Sequence, residues 1–132
     1  MNHRLERCPG QQLQAHEGLR DVARAHSKDL ADNHAALIDA FPENDPRRGH
    51  IGSDGSMPSD RIRNATELNH QAENVFWSDG LPRDAVGPAW NFWLNSPGHR
   101  ANLDNCMLST HAIGVYYDAA KNRTYLTHNF AG

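Results

Sequence analysis

Apolar residues recur along this chain with two different periods. From Glu17 the period is helical. Leu19, Val22, Ala23, His26 and Leu30 fall at i, i+3, i+4, i+7 and i+11, which is one helix face. Arg20, Asp21, Arg24, Lys28 and Asp29 take the other face, so a helix is predicted from Glu17 to about Asn33. Residues 41–59 hold Pro42, Pro46, Gly49, Gly52, Gly55 and Pro58, a density of breakers that predicts a loop. A short helix carrying Arg61 and Ile62 is expected after Pro58. Residues 72–77 are short, apolar and rich in β-formers, and read as a strand. Asp84 can cap a further helix whose first turn tolerates Pro88. Val86, Ala89, Trp90 and Trp93 would share its buried face, and Ser96-Pro97-Gly98 would end it.

Two strands close the chain, over residues 112–117 and 123–129. The five residues 118–122 between them suit an antiparallel hairpin. At the other end, residues 1–8 read as the close of a first helix, stopped by Cys8-Pro9-Gly10. Helices come first and the hairpin last, which is an α+β order. The expectation is one domain over residues 1–132, with helices packed on both faces of a small antiparallel sheet.

Composition narrows the function classes. The 132 residues suffice for one core. Three Trp, three Tyr and four Phe argue for a folded chain despite only 38% apolar residues. A net charge of -3 without a basic stripe speaks against nucleic-acid binding. No stretch approaches the ~18 apolar residues of a membrane span, and Met-Asn-His-Arg-Leu-Glu-Arg-Cys shows no signal-peptide apolar region. The two cysteines, Cys8 and Cys106, stand far apart, so a zinc ribbon or a Cys-x-x-Cys redox site is excluded. One disulfide and two buried thiols both remain open. Nine histidines are a reason to look for a site, because imidazole is the commonest metal ligand.

Several apparent motifs fail. His16-Glu17 lacks the second histidine of a zincin, since Arg20 stands there. Gly52-Ser53-Asp54-Gly55 lacks the spacing of a nucleophile elbow. Asn64-Ala65-Thr66 is a formal glycosylation sequon that reads better as a helix end.

One segment is far more specific. Trp93-Leu94-Asn95-Ser96-Pro97-Gly98-His99-Arg100-Ala101-Asn102-Leu103 resembles the W-x-x-S-P-G-H-R-x-N-L signature of bacterial SCP-like domains. These belong to the CAP superfamily of cysteine-rich secretory, antigen 5 and pathogenesis-related 1 proteins. Other segments fall in the family's order. Residues 22–31 resemble its long helix. Gly49-His50 with Pro58-Ser59-Asp60-Arg61-Ile62 resembles its loop and short helix, Ala72-Glu73-Asn74-Val75 its G-E-N-I motif, and Ile113-Gly114-Val115 its I-G-V-G strand. Thr127-His128-Asn129-Phe130 stands where the family has T-Q-x-F, and Cys106 where relatives often have Pro.

The resemblance implies an α-β-α sandwich with an open cavity. In the family pattern two histidines and two acids line it, and the histidines can bind a divalent metal such as Zn²⁺. By motif these are His50 and His99, with Glu73 as one acid. The second acid is replaced by Ser96, which weakens a catalytic expectation. Asn74, Ser96 and Arg100 complete the expected cavity. The resemblance implies a secreted or surface binding module more than an enzyme, taking a metal and a lipid, sterol or other small ligand. Two other readings are a hydrolase with Glu73 as base and a protein-interaction scaffold that recognises partners through the loop at 41–59. His26, Trp90 and Trp93 are expected in the core, whereas His3, His16, His34, His70 and His111 have no supporting motif.

Overall fold

A computed structural model describes residues 7–132, so the expected first helix and His3 lie largely or wholly outside the described residues. Strand β1 (Gln14–Ala15) leads into helix α1 (Glu17–Asp32), a π-helical turn (Ala35–Asp39) and a loop. Helix α2 (Pro58–Arg63), strand β2 (Gln71–Asp79) and helices α3 (Pro82–Asn95) and α4 (Pro97–Asp104) follow. Strands β3 (Thr110–Asp118) and β4 (Arg123–Ala131) form the closing hairpin. The sheet order is β1-β3-β4-β2. Its three long strands are antiparallel, but β1 pairs parallel to β3, so the sheet is mixed and not purely antiparallel as expected. A two-residue strand carries no period for sequence reading to find.

Both faces of the sheet are covered. On one side α1 buries Leu19, Ala23, His26, Ser27, Leu30 and Ala31 against Val75, Ala112, Tyr125 and Ala131. On the other, Ala85, Ala89 and Trp93 of α3 and Leu103 of α4 pack on Leu126 and Phe130. Buried residues on α3 fall at i, i+4 and i+8, so Val86 points outward at 45% exposure, contrary to the sequence reading. That helix starts earlier than Asp84, with Pro82 at its first position, where a missing N–H costs nothing. Ser96-Pro97 ends α3 and at once begins α4, because Ser96 is extended and Pro97 can open a helix.

The chain closes on itself in two ways. Asn122 adopts φ 50 in the hairpin link, a conformation that Asn tolerates better than most residues. Cys8 and Cys106 form a disulfide, which settles the alternative left open by the sequence. The histidines without motifs include three with structural duties. His16 caps α1, its Nδ1 accepting from the Leu19 N–H at 3.1 Å. His34 bonds the Tyr125 hydroxyl at 2.8 Å. His111 Nδ1 meets His128 Nε2 at 2.8 Å.

His128 is fully buried among aromatic rings, with Phe130 at 4.0 Å, Trp90 at 5.5 Å and Trp93 at 5.6 Å between centroids. Its Nδ1 has no partner among the described residues. Burial first, and the charge of His111 second, hold its pKa well below 6.5. The ring is therefore neutral when folded, while the unfolded chain takes up a proton below pH 6.5. Stability from this group is present above that pH and is lost as pH falls toward the folded-state pKa. Replacing His128 with Gln, the family's usual residue, should flatten the stability loss between neutral and mildly acid pH. The difference should reach at most about 1.4 kcal/mol per pH unit, read from urea midpoints of both proteins at two pH values.

Gly114 sets the spacing of α1 on the sheet. A Cβ built there would lie 2.0 Å from the Arg24 backbone N. Gly114→Ala should destabilise the fold by about 3 kcal/mol, a melting-point drop of roughly 10 °C by calorimetry.

Candidate functional site

The site grows from a buried carboxylate. Glu73 lies on β2 with its side chain on the α1 face, 1% exposed. A carboxylate taken from water needs charge and hydrogen bonds in return. Arg61 of α2 supplies both, its Nη2 lying 3.0 Å from each Glu73 oxygen. The same guanidinium donates to the His50 carbonyl at 2.9 Å and the Ser56 carbonyl at 2.9 Å, which fixes the irregular loop to the sheet. His50 Nδ1 lies 3.0 Å from Glu73 Oε1, so its N–H donates to the carboxylate. His26 Nε2 donates to the Gly49 carbonyl at 2.8 Å and sits 3.6 Å from Glu73.

Burial alone would raise the Glu73 pKa. The His50 hydrogen bond and the charges around it, that of Arg61 among them, outweigh burial and lower it. Burial keeps the His26 pKa low, against the pull of Glu73, so Arg61 is the standing countercharge. His26 is a core histidine as expected, yet only half satisfied, since its Nδ1 has no partner among the described residues.

In front of this cluster lies a cavity of about 670 Å³. His50, Ser96 and His99 line it, together with Arg48, Phe76, Trp77 and Phe92. Glu73, Asn74 and Arg100 do not, although the sequence reading put them there. Glu73 stands behind His50. Asn74 is fully buried, where it donates to the His99 carbonyl at 3.1 Å and accepts from Asn102 at 2.8 Å. Arg100 turns outward to Asp104 at 3.3 Å. A charged side chain one residue beyond His99 on a helix must leave on a different face.

His99 lies in the first turn of α4. Its Nδ1 meets Ser96 Oγ at 2.8 Å, so the residue standing in place of the second acid holds the second histidine. Burial first, and the charge of His50 second, lower the His99 pKa. Each cavity histidine thus has Nδ1 engaged by a protein oxygen, and no described contact uses either Nε2. This arrangement suits a ligating imidazole, whose second nitrogen is commonly fixed by such a partner. The donor set is small. No group of three or more His, Cys, Asp or Glu side chains able to hold a metal occurs among the described residues. Two imidazoles alone would leave most of a cation's coordination positions to solvent or to a bound molecule.

Sequence reasoning missed Arg61, Arg48, Phe76, Trp77 and Phe92. The Asp60-Arg61-Ile62 run held a usable signal, because a cation beside a buried Ile62 on a one-and-a-half-turn helix is poised to reach inward. The aromatic lining had none, since only tertiary structure brings 76, 77 and 92 together.

Comparisons with known proteins agree with this architecture. No curated protein matches the chain. An extracellular SCP-domain protein of Bacillus anthracis is 30% identical over 90% of this chain, with a TM-score of 0.61. The chain spans only 33% of that protein's length. An outer surface protein of Borrelia burgdorferi shares the fold at 19% identity and a TM-score of 0.66, over 98% of this chain and 89% of the other. Venom allergen-like protein 4 of Schistosoma mansoni does so at 11% identity and 0.52, over 98% and 78%. The profile of the cysteine-rich secretory protein family, CAP, matches residues 7–130, and the chain belongs to that family.

Proposed function

We propose that this domain is an extracellular binding module whose cavity takes its ligand at His50 and His99. The observation that supports this most is the engagement of both Nδ1 atoms, which leaves both Nε2 atoms for a ligand in one cavity. A divalent cation such as Zn²⁺ fits this pair, with water or a small organic ligand completing its shell. When bound, such a cation would add a positive charge and an exchangeable coordination position. His50 and His99 would hold it, Glu73 would fix the His50 ring, and Ser96 would fix the His99 ring. The apolar lining from Phe76, Trp77 and Phe92 suits an apolar or lipid-like ligand body. An extracellular place accords with the disulfide, which is favoured in oxidising compartments. No described helix is long and apolar enough to cross a membrane.

The hydrolase reading asks Glu73 to accept a proton from bound water. Both its oxygens are engaged by Arg61, and one also by His50, while the side chain does not reach the cavity surface. A lowered pKa further weakens it as a base. The geometry favours binding over hydrolysis.

Calorimetric titration of chelator-treated protein with Zn²⁺ tests the metal part. One saturable site is expected, absent in the His50→Ala/His99→Ala double variant and weakened in Ser96→Ala. Binding unchanged in the double variant would remove the cation from the proposal.

A further inference from the structure

Three consecutive residues of β2, Val75, Phe76 and Trp77, line the cavity. Successive strand side chains point to opposite faces. Here Val75 and Trp77 belong to the α1-side core, whereas Phe76 packs on the α3 side. A cavity that meets all three lies against the edge of the strand. β2 is an outer strand of the sheet, paired only with β4.

The hydrogen-bond phase identifies what that edge offers. His70 and Gly132 exchange both backbone bonds, at 2.7 and 2.9 Å. The register then runs unbroken from Gln71↔Ala131 to Asp79↔Arg123. Bonded and non-bonded pairs alternate in an antiparallel ladder. Ala72, Asn74, Phe76 and Ser78 therefore bond to β4, and the Gly80 N–H to the Asn122 carbonyl at 2.7 Å keeps the same phase. Glu73, Val75 and Trp77 turn their N–H and C=O groups outward. The outward carbonyls behave accordingly: that of Glu73 accepts from Asn102 at 3.4 Å, and that of Val75 from Trp93 Nε1 at 3.1 Å. No described protein group bonds the Val75 N–H or either backbone group of Trp77.

We propose that an extended peptide of a partner protein docks in the cavity by adding to the outer edge of β2 at Val75–Trp77. With the Val75 carbonyl already held by Trp93, the groups left for another extended backbone are the Val75 N–H and the N–H and C=O of Trp77, and strand addition to such an edge is an established mode of peptide recognition. Side chains of the incoming strand alternate between the two sides. One side meets Phe92, which is 47% exposed and 5.7 Å from Phe76, with His99 at 5.0 Å beyond it. An apolar or aromatic residue fits there. The other side meets the loop rim. Arg48 is held by the carbonyls of Ile38 and Phe41 and lies over Trp77, and Asp45 is held by Arg47. Glu43 has no cation partner among the described residues, so the rim favours Lys or Arg at the next position of the peptide.

This inference rests on reading the domain as a binding module, and it adds the class of ligand. The test uses short fluorescein-labelled peptides. One position runs through Leu, Ile, Phe, Tyr and Trp, and the following one through Lys and Arg. Saturable binding by anisotropy is expected for part of the panel. Methylating the one of those two backbone nitrogens that faces β2 should weaken binding about tenfold, because an edge bond is lost, while methylating the other, which faces away, should leave it unchanged. Phe92→Ala, an exposed change that leaves the core intact, should weaken it comparably, and Glu43→Lys should weaken it and invert the preference for a basic residue. Hydrogen exchange of the Val75 and Trp77 amides should slow in the complex. If no peptide binds, or binding ignores N-methylation, or protection appears elsewhere, strand addition is overturned. Zinc titration reads the histidine pair independently. Zinc binding without peptide binding would sink this inference alone, and peptide binding without zinc would sink only the metal.

Discussion

A carboxylate buried inside a protein gives up its hydration, and everything that replaces that hydration becomes fixed in space. Glu73 imposes this constraint here. Its oxygens are met by Arg61 from α2 and by His50 from the loop, with His26 of α1 beside them. Four segments distant in sequence are thus held by one side chain. The irregular stretch before α2 contributes little regular structure, yet Arg61 ties it down at the His50 and Ser56 carbonyls. His50 can present a single nitrogen to the cavity because the other is already committed. Removing either member of the Arg61–Glu73 pair would leave an uncompensated charge inside the protein, which is costly in a way that a surface ion pair is not.

The two sides of the cavity are built by different physics. Behind His50 the restraint is ionic and buried. Behind His99 it is a short helix start, a Ser96 hydroxyl and the buried Asn74–Asn102 pair that grips the His99 carbonyl. Ser96 has two duties, as the hinge residue between α3 and α4 and as the partner of His99. An acid at that position could carry the second duty, but it would bring a further charge to a cavity that already has Glu43 at its rim. The loss of the family's second acid therefore changes the electrostatics of the cavity more than its shape.

Much of the fold was legible in the sequence. The apolar face of α1, the breaker-rich loop, the strand at Glu73 and the closing hairpin each follow from local pattern, because each is a local consequence of period or of backbone preference. The family motifs also pointed to His50 and His99, which line one cavity. What was not legible depends on convergence. Arg61 reads as one exposed cation among many until α2 is laid against β2. His111 looks incidental, and His128 only a departure from a family motif, until the register of β3 and β4 sets them diagonally on one face. Asn74 and Arg100 were misplaced for related reasons. Arg100 follows His99 on a helix and so leaves on a different face, and Asn74 is drawn into its buried bonds with Asn102 and the His99 carbonyl.

The disulfide has a consequence for how the chain is made. Its two cysteines are 98 residues apart, and the later one follows α4. An emerging polypeptide therefore carries an unpaired Cys8 until most of the domain has been synthesised. The strand just after it, β1, likewise waits for β3, which comes later still. The amino-terminal segment can be secured only at the end of folding, so the bond marks chains that have finished assembling and seals them in that state. A cysteine of this domain that oxidises earlier must do so with a partner outside the pair, because these 132 residues hold only two cysteines.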